Sequence, residues 1–221
     1  MAYALRAGLS FCEAEGRLIF LDLPTDRYFC LAPPAETAFR RIWHEDPSEE
    51  GDRQFAERSG LFTEAAVASI APCRAPDTCK QSLLEEERQR ARAGDVAMML
   101  ASLARASCEL RVRGLAASLA RFETAKARAT GDPGCQAPST APLMAAASAL
   151  RASMRLYSFH ERCLPASLAL AIRLARAGIP VDLVLGVRLA PFKAHAWVQH
   201  GETLVNERLS LARLFTPILV L

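Results

Sequence analysis

Long apolar runs are missing from this chain. No stretch of about 18 consecutive apolar residues occurs, and the segment "MMLASLARASCELRV" is interrupted by charge. The opening "MAYALRAGLSFCEAEG" has no continuous apolar core of the kind a signal peptide carries. Both absences predict a cytoplasmic protein with no membrane partner. Aromatic residues are few, at 7%, which argues against base-stacking platforms. The 27 basic and 24 acidic residues are interspersed, with a net charge of only +3, so no nucleic-acid partner is expected. Paired cysteine spacings are lacking too. The seven cysteines (12, 30, 73, 79, 108, 135 and 163) are odd in number and irregularly spaced, as reduced thiols are. In "CRAPDTC" the gap between Cys73 and Cys79 is too wide for a zinc knuckle and no second pair follows, so no metal is assigned. A G-x-x-x-x-G-K-[ST] loop is also lacking, and no nucleotide or other cofactor is assigned.

What the 221 residues do contain, at 51% hydrophobic, is enough apolar surface for one large domain or two small ones. "LSFCEA", "RLIFLDL" and "RYFCL" read as strands, separated by turns at Glu15-Gly16 and Pro24-Thr25-Asp26. "APPAETAFRRIWHE" opens with prolines suited to a helix N-terminus and places Ala38, Ile42 and Trp43 on one side. A short helix follows around "DRQFAERSG", ended by Gly60. Residues 1–70 therefore read as a small winged-helix-like module. Residues 71–89, beginning "APCRAPDTCKQS", have little periodicity and read as a linker. Residues 90–221 read as the second domain: helices with a core face through Leu100, Leu103, Leu110, Leu115, Leu119 and Phe122, a loop over 130–142, and a helix from about Leu143 to Ser158. After the helix that stops at Gly178, "IPVDLVLGVRLA" and "KAHAWVQHG" read as strands, then "ETLVNER". Helices first and an antiparallel sheet after make an α+β layout.

Cys163 stands immediately before the proline-started apolar helix "LPASLALAIRLARAG". Backbone N–H groups at a helix N-terminus point outward and favour a thiolate. Such a thiol requires a base. Of the four histidines, His44 ends a polar helix, His160 is only three residues from Cys163, and His200 sits at a turn. His195 lies inside an apolar strand, on one face with Trp197 and Gln199. A helix-start cysteine facing a strand histidine is the arrangement of cysteine-nucleophile catalysis. The neighbouring strand offers an orienting group. A two-residue turn at 200–201 sets Asn206 opposite His195, and a three-residue loop sets Glu207 there.

The run "CLPASLALAIRLARAGIPVDLVLGVRLAPFKAHAWVQHGETLVNE" resembles the transglutaminase-like cysteine peptidase of lasso-peptide maturation B proteins. The marks are Cys163-Leu164-Pro165, the Gly186-Val187 strand, and Phe192 through Val198. "GRLIFLDLPTDRYFCL" with "PPAETAFRRI" resembles the PqqD-like leader-recognition element fused to that peptidase in some members. The resemblance implies a papain/transglutaminase-like peptidase over residues 90–221, with Cys163 as nucleophile and His195 as general acid/base. It aligns Glu207 with an orienting position that usually holds Asp, and Asn206 stays open as a substitute. It implies endoproteolysis of a ribosomally made precursor whose leader adds a strand along Arg27 to Leu31, with Arg27, Tyr28, Phe29 and Leu31 as contacts. The other implied partner is a separate asparagine-synthetase-like cyclase. Two alternatives are a transglutaminase-type acyltransferase and a non-catalytic leader-binding adaptor.

Overall fold

The computed structural model describes residues 2–44, 50–67, 69–86, 90–130, 140–156 and 163–221. Cys135, His160, residues 131–139 of the loop expected over 130–142 and the expected helix end near Ser158 lie outside these residues, while 130 and 140–142 of that loop are helical. The chain opens with β1 (Ala2–Leu5), β2 (Leu9–Ala14), β3 (Arg17–Asp22) and β4 (Arg27–Cys30). The last three form an antiparallel meander in the order β2-β3-β4. Its first turn is the expected Glu15-Gly16, with φ of 52° and 77°, the positive pair that a two-residue hairpin needs. Helix α1 (Pro33–Trp43) starts on its prolines and buries Ala38, Phe39 and Ile42. After α2 (Glu50–Arg58), β5 (Phe62–Ala65) returns to pair with β1. This two-stranded ribbon was not legible in "AYAL" and "FTEA", which are short and poor in β-branched residues.

The meander is buried on both faces. Leu9, Phe11, Leu18 and Phe20 pack on α1 through Phe39, with Phe11–Phe39 and Phe20–Phe39 rings in edge contact at 5.2 and 5.0 Å. Cys12, Ala14, Ile19 and Leu21 point the other way, into the core of the C-terminal half. That two-sided burial explains why "LIFL" in β3 runs apolar without alternation.

The remaining elements are β6 (Gln81–Ser82), α3 (Ala93–Thr130), α4 (Thr140–Leu156), α5 (Cys163–Arg176), β7 (Asp182–Arg188), β8 (Lys193–His200), β9 (Thr203–Leu204), α6 (Leu209–Ala212) and β10 (Thr216–Val220). They give a mixed α+β architecture. Helix α3 is broken at Gly114, with φ 79°. A sheet of order β10-β7-β8-β9-β6 carries the three long helices on one face. The segment read as a linker, 71–89, supplies β6, which pairs in parallel with β9. Its Cys73 N–H also donates to Phe11 O at 2.7 Å, so this segment ties the two halves together. Strand β10, missed because "TPILV" contains a proline, takes the sheet edge and lies beside β2. There Ser10 Oγ donates to Ile218 O at 2.5 Å. None of the described helices is long and apolar enough to cross a membrane.

Gly186 on β7 pairs with His195 on β8. A Cβ at residue 186 would stand 2.7 and 2.8 Å from two ring carbons of Trp197, whose indole is buried and cannot swing away. Gly186→Ala is therefore expected to cost about 1–3 kcal/mol, an overpacking penalty. Thermal unfolding checks this, and an unchanged midpoint would show that the ring has room.

Candidate active site

Helix α5 is apolar nearly all round, and every residue from Ala166 to Ile172 is buried. Such a helix belongs at the centre of a fold. Pro165 in its first turn costs nothing, because that turn has no intrahelical N–H bond to lose. The helix is pinned to the sheet by a polar pair within the apolar packing. Ser167 Oγ donates to Ala196 O at 2.8 Å, and Asn206 Nδ2 donates to Ser167 Oγ at 2.9 Å. Asn206 Oδ1 in turn accepts the Val198 N–H at 2.7 Å. Cys163 is one helical turn before Ser167, which sets the sulfur beside residue 195.

His195 and Glu207 meet directly, with Nε2 and Oε2 2.6 Å apart and side-chain exposures of 15% and 13%. The second carboxylate oxygen of Glu207 accepts the Arg208 N–H at 2.8 Å, and its carbonyl accepts Ser82 Oγ from β6 at 2.5 Å. With Nε2 occupied by Glu207, Nδ1 is the nitrogen left for the hydrogen bond between His195 and Cys163. Phe215 lies against the imidazole, ring centroids 5.0 Å apart, and restricts its rotation. The β8–β9 turn is Gly201-Glu202, with His200 opposite Thr203. Neither register considered from sequence occurs. The strand pairing stops at Leu204, and Glu207 reaches the ring from the following bend. Both polar ends of Asn206 are committed to Val198 and Ser167, so Asn206 holds the framework and Glu207 contacts the ring.

The electrostatics follow from this line. Burial pushes the Cys163 thiol up, but the His195 hydrogen bond and charge, with hydrogen bonds from the backbone of Ala196 and Leu164, outweigh it. The thiol ends below its ordinary value. Burial works against the imidazolium as well, yet Cys163 and Glu207 raise His195 to about 9. The two shifts run in the direction that favours a thiolate beside an imidazolium, the pair that cysteine-nucleophile chemistry uses. Because the His195 pKa is raised, the stability contributed by its charged form is fully present below about 6.5. It is lost as pH rises through about 9.

The other candidates sit elsewhere. His44 caps α1 and stacks on Trp43 at 4.8 Å. His200 Nδ1 bonds Pro180 O at 2.6 Å. Among the four residues expected along the leader, Arg27 is exposed on β4, Phe29 stacks on Phe20 at 5.2 Å, and Leu31 packs on the same cluster. Tyr28 points to the opposite face, into the core shared with the C-terminal half. Sequence reasoning missed Ser167, Ser82 and Phe215. Ser167 was detectable as a lone hydroxyl in an otherwise apolar helix; the other two are brought in by β6 and by the segment before β10, neither of which was read. No cluster able to hold a metal occurs among the described residues.

Substituting the two orienter candidates separates their roles. Glu207→Ala removes a group that raises His195, so alkylation of Cys163 by iodoacetamide should lose its ion-pair rate at a lower pH than in the parent protein. Asn206→Ala should mainly destabilise, by about 1–3 kcal/mol, because it leaves the Val198 N–H unpaired. A pH shift from Asn206→Ala with none from Glu207→Ala would reverse the assignment.

Residues 103–220, more than half of the chain, match the family described as the Transglutaminase-like superfamily. The match begins within α3, ends on β10 and spans Cys163, His195 and Glu207. Comparison with curated proteins and with solved structures gives no match. The chain belongs to the transglutaminase-like superfamily.

Proposed function

We propose that the chain is a cytoplasmic leader peptidase of lasso-peptide biosynthesis, a cysteine endopeptidase that binds a ribosomally made precursor by its leader and cuts the leader from the core. The observation that carries this reading is the pairing of two features in one packed molecule. A Cys163–His195–Glu207 line lies in the C-terminal half, and the N-terminal meander ends on β4, which has β3 as its sole strand partner among the described residues. An open strand edge takes an extended peptide through main-chain hydrogen bonds. In this reading the N-terminal half is a winged-helix-like, PqqD-like element, and the leader lies along Arg27 to Leu31.

The chemistry then runs as two acyl transfers. The Cys163 thiolate adds to the scissile carbonyl carbon, the C–N bond breaks, and His195 gives its proton to the departing amine of the core. The leader is left as a thioester on sulfur. Water, deprotonated by His195, attacks that carbonyl; the C–S bond breaks, and the leader departs as a carboxylic acid. Glu207 holds the ring and balances its positive charge through both half-reactions. Tethering through the leader keeps the scissile bond at high local concentration, so the pocket itself has to recognise only a few residues. The freed core amine is the group that a separate asparagine-synthetase-like, ATP-dependent cyclase joins to a side-chain carboxyl.

Mass analysis of the products formed from a synthetic leader–core precursor of the lasso-peptide type tests the reading. Two fragments whose masses sum to precursor plus one water are expected, and Cys163→Ala should yield none while still binding leader. A crosslinked product lacking the added water would identify an acyltransferase. Normal processing by Cys163→Ala would leave only an adaptor.

A further inference from the structure

Tyr28 and Phe192 come from opposite halves of the chain and meet with ring centroids 5.6 Å apart at 56°. Phe192 precedes His195 by three residues, in the connection between β7 and β8, and keeps 48% of its surface exposed. Among the described residues it is the one aromatic side chain among the exposed large hydrophobics. Packing does not require it there: its neighbours Pro191 and Lys193 are exposed as well. Tyr28, by contrast, is half-buried, and its body rests on the main core.

The position of this pair relative to the sulfur is fixed from both sides. Glu15 Oε1 accepts the Leu189 N–H at 3.2 Å, which ties the β7–β8 connection to the β2–β3 turn. The Ser10–Ile218 bond and the shared packing of Ile19 and Leu21 hold the meander against the same unit. Phe192 leads into β8 three residues before His195, the residue that hydrogen-bonds Cys163, and Tyr28 packs on Phe192 from the other half. Burial first, then the charges of Asp26 and Cys163, push the Tyr28 hydroxyl up to about 12.

We infer that Tyr28 and Phe192 together form an apolar subsite beside Cys163, built across the two halves, which takes an apolar or aromatic side chain of a peptide next to the bond under attack. This assigns Tyr28 to specificity at the reacting end, in addition to any contact with leader, and makes the N-terminal half part of the catalytic cleft. Phe192, half of whose surface is exposed, supplies the open aromatic face and Tyr28 backs it, and aromatic faces receive apolar side chains at little entropic cost. The inference rests on the peptidase reading only in taking a peptide as the ligand.

Irreversible inactivation of the full chain by acetyl-phenylalanyl and acetyl-alanyl chloromethyl ketones measures the subsite without any precursor. In each case the Cys163 thiolate forms a C–S bond and chloride leaves. The phenylalanyl reagent should react roughly tenfold or more faster than the alanyl one, and Phe192→Ala or Tyr28→Ala should bring the two rates to within about twofold of each other. Tyr28→Phe, which keeps the ring, should restore the preference. Phe192 is exposed enough for its substitution to leave the fold intact, and a thermal melt verifies that. A preference unchanged in Phe192→Ala would overturn the inference, as would an equal rate for the two reagents in the parent protein. A preference that disappears in the variants while the parent processes no precursor would keep the subsite and reject the leader-peptidase reading. Processing of precursor by a parent protein with no such preference would do the opposite.

Discussion

The hydrogen bond from Ser167 to the Ala196 carbonyl, shared with Asn206, fixes the distance between a helix and a strand whose packing is otherwise largely apolar. Apolar packing is non-directional and tolerates small slides of one element over another. A buried, fully satisfied polar pair does not, because a slide would leave a hydroxyl and an amide without partners in low dielectric. One turn before this pair stands Cys163, and one residue before its strand partner stands His195. The reacting atoms are thus registered by groups that never touch them.

Around this point the charges reinforce one another. Glu207 fixes and charges the imidazole, the imidazolium draws the thiol below its ordinary value, and the N-terminus of α5 adds its dipole in the same direction. Burial opposes both ions and strengthens their attraction, so either partner alone would be driven neutral. Trp197, seated over Gly186, and Phe215, against the ring, close the remaining freedom of this strand end. The five-stranded sheet is tied at both edges. Ser82 on β6 anchors Glu207 from one edge, and β10 brings the N-terminal meander to the other.

Much of this was legible in the residues. Cys163 before an apolar helix, His195 within a short apolar strand and a choice between Asn206 and Glu207 all follow from patterning. The choice itself was not legible, because both considered registers assumed that β9 continued past Leu204. A bend ends it there, and Ser82 takes the Glu207 carbonyl that a ladder would have used. Likewise "RLIFLDL" announced a strand, but a four-residue apolar run does not say what covers its second face. That cover is the C-terminal unit, which is why Tyr28 packs on the core of that half and why β6, inside the expected linker, finds β9 as its partner. Short strands such as β1, β5 and β6 owe their existence to partners distant in the chain, and local sequence carries little trace of them.

The central claim is that the imidazole of His195 is held charged by a thiolate on one side and a carboxylate on the other. Nuclear magnetic resonance titration of the His195 ring in the intact chain tests it most directly. The account predicts a midpoint near 9 that falls toward the ordinary 6.5 when Cys163 is replaced by alanine. A midpoint already at the ordinary value, indifferent to that substitution, would contradict it.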